Sequence, residues 1–449
     1  LWKNRPAVPS NKVFLLPEEI SGAGARQKIA RVLDEIHKQG GNATILVSLD
    51  MIAWLFNIRG NDVDYNPVAV SYAYVSDDEV VLFIDPKKLS PEVTDHLKSQ
   101  GVILAGYDKL TGYIRNLKQE TRLLINPSKL NSELYEAIPA GCRIIQVPVH
   151  PVDMLKSIKN DTEIAGFRNA MKKDGVALSR FWMWLEKSLE KGETVTELDV
   201  EEKLREFREQ QPMYFGESFS SIVGYAEHGA IVHYSATEET NVRIRPESFL
   251  LIDSGAQFFD GTTDITRTFA VGEVNDVMKN DYTAVLKGNI DLSMAKFPKG
   301  TKGVQLDLLA RKALWENGVN YLHGTGHGVG HFLNVHEGPQ SIRMEYNPVA
   351  MEPGMVTSNE PGIYRAGEYG IRIENLILTV KAEETPTTAF YRFETLTLCP
   401  IDKTPVNRSL LSREEIDWLN NYHKRVYDIL SPELNENEQK WLKEKTDEI

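Results

Sequence analysis

The spacing of apolar positions changes along the chain, and it divides the sequence into two kinds of domain. Ile29, Val32, Leu33 and Ile36 recur at helical spacing and the run stops at Gly40-Gly41, which predicts a helix over Ala25–Lys38. Short β-type runs follow at 44–47, 70–75, 80–84, 102–104, 122–125 and 143–147, with helical patterns at 91–99 and 132–138 between them. This alternation predicts a smaller α/β domain over residues 1–152. Inside it, residues 50–60 hold Ile52, Leu55 and Phe56 at helix spacing, which predicts core packing rather than chemistry. A long helical pattern then runs over 154–189, interrupted only by Gly166 and Gly175, and places a boundary near residue 152. Strand patterns dominate 219–270 and 355–399, and helical ones occupy 196–209, 275–296 and 304–316. Residues 153–449 are therefore expected to form an α+β domain around one sheet. The tail from 412 to 445 is helical, with Ile416, Leu419, Tyr422 and Val426 on one stripe, and is expected to pack or dimerise rather than catalyse.

The stretch 249–269 carries the first candidate chemistry. An apolar strand runs into Asp253, the chain turns at Asp260-Gly261, and a Thr-rich strand returns with Asp264. Pairing about Asp260-Gly261 sets Asp253 opposite Thr268 and Asp264 opposite Gln257, which puts both carboxylates on one face. Four residues of flat strand separate the pair by roughly 13 Å, so a bulge, twist or wider loop is needed to bring them to a common ion.

Composition narrows the partners. With 449 residues, 41% hydrophobic and 26% charged, the chain is an ordinary globular protein; its formal charge of −13 argues against nucleic-acid or anionic-membrane binding. Two cysteines, Cys142 and Cys399, are too few for a disulfide framework or a thiolate metal site, which fits a reducing, cytoplasmic compartment. No run of 18 apolar residues or basic leader is present, so no membrane span or signal peptide is expected. The opening Leu-Trp-Lys-Asn-Arg-Pro has no Met and reads as a linker, with a preceding domain expected to be missing.

Four of the ten histidines, His323, His327, His331 and His336, crowd into a glycine-rich segment. It lacks the Gly-Lys-Ser/Thr ending of a phosphate loop, whereas neutral imidazole suits a divalent ion and glycine lets backbone approach closely. Glu360 in Asn-Glu-Pro-Gly and Glu374 in Ile-Arg-Ile-Glu-Asn add two carboxylates. Alternation along the second segment places Arg372 beside Glu374 on one strand face, where the guanidinium is expected to hold its neighbour ionised.

The ordered set Asp253, Asp264, His327, Glu360 and Glu374 resembles the five-ligand signature of the pita-bread metallopeptidases. The words Asp-Ser-Gly-Ala-Gln, His-Gly-Thr-Gly-His-Gly-Val-Gly, Asn-Val-His-Glu-Gly-Pro and Asn-Glu-Pro-Gly resemble the family's cytosolic X-Pro aminopeptidase branch. So do Trp54-Leu-Phe-Asn-Ile-Arg-Gly and the tail Trp418-Leu-Asn-Asn-Tyr-His. The resemblance implies a pita-bread catalytic domain behind a creatinase N-terminal-like domain, the first of that branch's three domains being absent. It implies two divalent ions held by those five residues, Mn²⁺ first and Zn²⁺ or Co²⁺ as alternatives, with a bridging hydroxide attacking the peptide carbonyl. Glu360 would shuttle the proton, His336 would stabilise the oxyanion, and His233 would sit beside the scissile amide. His323 would line the proline pocket, and Arg372 belongs with the substrate-binding group. His228 and His331 are assigned structural places. The expected partners are peptides with proline in second position and a second copy of the chain in a homodimer. A prolidase acting on Xaa-Pro dipeptides and a non-catalytic pita-bread module are the alternatives.

Overall fold

The computed structural model describes residues 3–449. Its contacts divide the chain into a first unit ending at Glu163 and a second unit, Ile164–Ile449.

The first unit is built on a six-stranded mixed sheet in the order Val102–Ala105, Val80–Ile84, Ser71–Ser76, Ala43–Leu46, Arg122–Ile125, Arg143–Gln146. Residues two apart, Ala43 and Ile45, Val81 and Phe83, Leu123 and Ile125, share one apolar face and bury it against Leu110, Ile114 and Leu134 of the connecting helices. The helix Pro91–Ser99 begins where its sequence says it should, with the Ser90 side chain accepting from the Val93 amide and proline in the first turn. Residues 51–56 are all buried in the helix Leu49–Phe56, as expected for core packing.

The helical run expected over 154–189 is two helices, Pro151–Ser157 and Asp161–Glu190. The break is made by Asn160 and Glu163: each side chain bonds the other's backbone amide, at 3.0 and 2.9 Å, in a reciprocal cap that starts the second helix.

The second unit is α+β, but its strands form four ladders rather than one sheet. Three strands, Ile222–Tyr225, Phe249–Ser254 and Ile265–Ala270, make one antiparallel ladder; Tyr214–Glu217, Ala256–Phe258 and Gly261–Thr262 make a second. A six-stranded ladder runs Lys296–Pro298, Ala389–Thr395, Asn375–Glu384, Val356–Asn359, Gly326–Gly328, Glu337–Ile342, and Gly362–Arg365 pairs with Tyr369–Arg372. The first two ladders separate at Gly255, where a Cβ would lie 2.0 Å from the Thr263 carbonyl oxygen, so only glycine lets the two strands pass so closely there. The tail helices Arg413–Leu430 and Glu436–Thr446 pack: Leu419, Tyr422, Val426, Leu430 and Leu442 are buried in the main core of this unit.

The hairpin register also differs from the sequence expectation. Asp253 faces Thr266, not Thr268, and Gln257 faces Thr262. The turn therefore centres on Phe259-Asp260, and the Asp260 carboxylate is held by Lys173 at 2.5 Å and Asn169 at 2.6 Å. Extending this register puts Asp264 opposite Gly255, two residues from Asp253. The strand distance drops from roughly 13 Å to about 7 Å, so the shifted register already brings the pair close.

Candidate metal centre

Asp253 lies at the end of its strand, where Arg372 Nη2 donates to Oδ2 at 2.6 Å; the other oxygen, Oδ1, is buried with no hydrogen-bond partner. Asp264 stands just ahead of the strand Ile265–Ala270 and is 3% exposed. Its Oδ2 lies 3.4 Å from His327 Nε2. His327 occupies the middle of the short strand Gly326–Gly328, which pairs on one side with Glu337–Ile342 and on the other with Val356–Asn359. Glycine is required at 326, because a Cβ would sit 2.0 Å from the Ser358 carbonyl oxygen. The imidazole is oriented from behind. Nδ1 donates to the Gly328 carbonyl at 2.9 Å, so Nε2 faces the carboxylates.

Glu360 follows the strand Val356–Asn359, with its amide bonded to the Thr325 carbonyl at 2.8 Å and its Oε1 3.5 Å from His327 Nε2. Ser358 links the two, accepting from the His327 amide and donating to Glu360 Oε1 at 3.0 Å each. Glu374 sits in the two-residue gap between Tyr369–Arg372 and Asn375–Glu384, held by its amide on the Thr266 carbonyl and by Thr266 Oγ1 on its Oε2 at 2.8 Å. That gap overturns the expected Arg372–Glu374 pairing. Alternation holds only along a continuous strand, and here the guanidinium instead reaches Asp253, Thr266 Oγ1 at 3.0 Å and Tyr364 OH at 2.8 Å.

Asp253, Asp264, His327, Glu360, Arg372 and Glu374 line one cavity of about 480 Å³, together with His233, His323 and His336. His336 faces the cavity with its ring against His327, centroids 4.4 Å apart. His323 ends a directed chain: Arg372 donates to the Tyr364 hydroxyl, which donates to His323 Nε2 at 2.8 Å, while His323 Nδ1 donates to the Gly324 carbonyl at 2.9 Å. Both its nitrogens are thereby engaged, leaving the ring itself to line the cavity. His228 pairs with Glu197 at 2.9 Å and stacks on Tyr234, and His331 is buried against Phe167; neither is in the cavity lining. Tyr364, Thr266 and Ser358 were not singled out by sequence. Thr266 carries a weak signal, being two positions after Asp264, but nothing marks the other two hydroxyls.

The electrostatics reflect too many carboxylates around too few cations. Burial raises Asp264 to about 6 and Glu360 to about 7, and it lifts Glu374 well above the usual range, with the neighbouring carboxylates adding to that rise. Burial alone would lower His327, but Asp264 and Glu360 outweigh it and raise it to about 9. Loss of water lowers His323 and His336 to about 4, so both rings are neutral near pH 7. Asp264, His327 and Glu374 each offer an atom within 4.8 Å of the others. Together with the orphaned buried oxygen of Asp253, this is an arrangement that fits divalent cations: a proton on His327 and raised carboxylates stand in for missing positive charge.

Comparison with known proteins agrees with this geometry. The signature of metallopeptidase family M24 matches residues 165–381, and that of its C-terminal region matches 389–449. A Coprinopsis cinerea protein named probable Xaa-Pro aminopeptidase P is 42% identical over all of this chain and 75% of its own length. The chain belongs to metallopeptidase family M24. Aminopeptidase P2 of Arabidopsis thaliana is 40% identical over 98% of this chain and 67% of its own length. Among solved structures of the family, the X-prolyl aminopeptidase of Caenorhabditis elegans, described as a cytosolic enzyme with a di-nuclear active site, superposes with a TM-score of 0.94. It is 36% identical over all of this chain and 74% of the other. The Xaa-Pro dipeptidase of Bacillus anthracis, at 24% identity over 84% of this chain and 99% of its own, with a TM-score of 0.68, shares the fold. One expectation falls. The chain was read as lacking its N-terminal domain, but the creatinase/prolidase N-terminal domain signature matches residues 4–163, so that domain is present.

Proposed function

We propose that this chain is a metalloaminopeptidase that releases the N-terminal residue from Xaa-Pro peptides, with Asp253, Asp264, His327, Glu360 and Glu374 holding two divalent ions. The observation that carries this reading is the convergence of all five side chains, from separate strands and connections, on one cavity. Relatives named for this activity at 36–42% identity over the whole chain support it, while the dipeptidase resemblance is one of fold. Bound there, two ions supply the Lewis acidity that polarises a scissile carbonyl and eases deprotonation of the attacking water. The carboxylate-rich donor set favours Mn²⁺.

The chain's own residues do the rest. Glu360, at the cavity wall, takes a proton from the attacking water and returns it to the leaving nitrogen. His336 is neutral near pH 7 and donates to the oxyanion as charge develops; His233 lies beside the scissile amide. His323, fixed by Tyr364, presents its ring to the proline. Arg372 holds Asp253 and Tyr364 in place from inside the cavity wall and contacts the substrate there. The net charge of −13 keeps nucleic acid off the partner set, and the C. elegans description supports a cytoplasmic location. No helix of the described residues is long and apolar enough to cross a membrane. Leu308 and Trp315, seven residues apart on one helix and 50% and 46% exposed, support a homodimer. The reading is tested by dialysis against a chelator: activity on Xaa-Pro peptides disappears and returns with Mn²⁺ at two ions per chain. Full activity in metal-free protein would overturn it.

A further inference from the structure

Behind Glu360 and Glu374 lies a buried polar brace that touches neither the cavity nor any expected ligand atom. Arg267, 2% exposed, donates through Nη1 to the Glu374 carbonyl at 2.6 Å and the Thr266 carbonyl at 3.0 Å. Its Nη2 donates to Asn375 Oδ1 at 2.8 Å, the Cys399 carbonyl at 2.9 Å and the Tyr422 hydroxyl at 3.0 Å, and Nε reaches the Pro400 carbonyl at 3.1 Å. Asn375 passes the contact on to Asn289 Oδ1 at 3.2 Å. Asn289, on the helix Asp276–Ser293, donates with one amide nitrogen to the Asn359 carbonyl at 2.9 Å and the Ile373 carbonyl at 3.0 Å. Those are the carbonyls of the two peptide bonds from which Glu360 and Glu374 hang. One carboxamide therefore ties the backbones of both glutamates together, and one guanidinium ties Glu374 to the strand Ile265–Ala270 that follows Asp264 and to the tail helix Arg413–Leu430.

We propose that Arg267, Asn289 and Tyr422 are positioning residues that set the separation of Glu360 and Glu374, making the tail helix Arg413–Leu430 part of the metal centre's construction. The proposal rests on the reading of the five residues as a metal site. A guanidinium is suited to this place because its planar fork serves six acceptors at once without reorienting; a lysine at the same position keeps the charge and loses the fork. Tyr422 closes the brace by accepting from Arg267 and donating to the Cys399 carbonyl at 2.8 Å.

The test uses the whole chain with Arg267→Lys and Tyr422→Phe, the second preserving core volume should the first fail to fold. Mn²⁺ is titrated into metal-free protein by calorimetry, and kcat and KM are measured on an Xaa-Pro-Pro tripeptide well below the melting temperature. The expected result is an Mn²⁺ affinity about tenfold weaker in either variant, with kcat falling and KM moving less than twofold. An Mn²⁺ affinity within twofold of the unaltered protein, whatever happens to melting temperature, overturns the proposal, because a merely structural brace would move stability alone. Since the titration needs no turnover, an unaltered chain that binds Mn²⁺ but fails to cleave Xaa-Pro peptides would refute the function and leave this measurement decisive.

Discussion

His336 and His327 are neighbours whose rings touch, yet their surroundings drive them to opposite protonation states. Carboxylates hold the proton on His327, raised to about 9, and exclusion of water strips it from His336, lowered to about 4. With its N–H available to a developing oxyanion, His336 is read as a donor, and His336→Ala should lower kcat by roughly 10²–10³ while metal content stays at two ions per chain. Unchanged kcat with unchanged metal would return His336 to a structural place. The raised groups also fix a pH dependence. Asp264, Glu360, Glu374 and His327 all bind protons more tightly folded than unfolded. Each therefore stabilises the metal-free chain below its ordinary pKa and loses that contribution as pH rises through the folded value. His323 and His336, lowered, act only below about 6.5, so above pH 7 the raised groups of the site stand alone. The melting-temperature gain from saturating Mn²⁺ should grow steadily from pH 7 to 9, and a gain independent of pH would contradict this. At this scale the five residues that line one cavity were legible through their ordered resemblance to a family signature, since residue type alone did not single out His327 among four clustered histidines. The sequence misplaced the partner of Arg372 because a strand was assumed to continue where Ile373 and Glu374 interrupt it.

Elements were legible where their causes are local. The helices Ala25–Lys38 and Pro91–Ser99 and the strand Val80–Ile84 fall on their expected limits, since capping, proline and periodicity lie within the segments themselves. The hairpin register and the division into ladders were not legible, because both depend on long-range approaches: Gly255 against Thr263, Gly326 against Ser358, and Asp260 turned toward Lys173. These contacts leave no period in the sequence. They do leave a testable cost. Gly326→Ala should destabilise the protein by about 1–3 kcal/mol through the clash with Ser358 and weaken Mn²⁺ binding, as the strand bearing His327 is pushed from that of Glu360. Gly112→Ala, in the helix Leu110–Ile114 with open space around its Cβ, is the control and should leave both unchanged or raise stability slightly. Equal behaviour of the two variants in thermal melting and metal titration would remove the close-approach argument.

At the scale of the whole chain, matches to metallopeptidase family M24 and its relatives extend from the N-terminal domain to the tail, and the two units carry their own cores. The chain's pattern distinguished an α/β domain from an α+β one, but the missing-domain expectation rested on the opening residues and on the resemblance to a three-domain branch, and the N-terminal domain signature over residues 4–163 overturns it. The central claim is that this site cleaves before proline. An amide nitrogen belonging to proline carries no hydrogen and restricts the residue before it, so a pocket built for that bond should discriminate strongly. The most direct measurement is kcat/KM, at saturating Mn²⁺, on Xaa-Pro-Pro tripeptides, Xaa-Pro dipeptides and Xaa-Ala-Pro tripeptides side by side. The account predicts fastest turnover of the Xaa-Pro-Pro tripeptides, slower turnover of the dipeptides and negligible cleavage of the alanine peptides. Faster turnover of the dipeptides would make the chain a prolidase, and equal turnover of the alanine peptides would contradict cleavage before proline altogether.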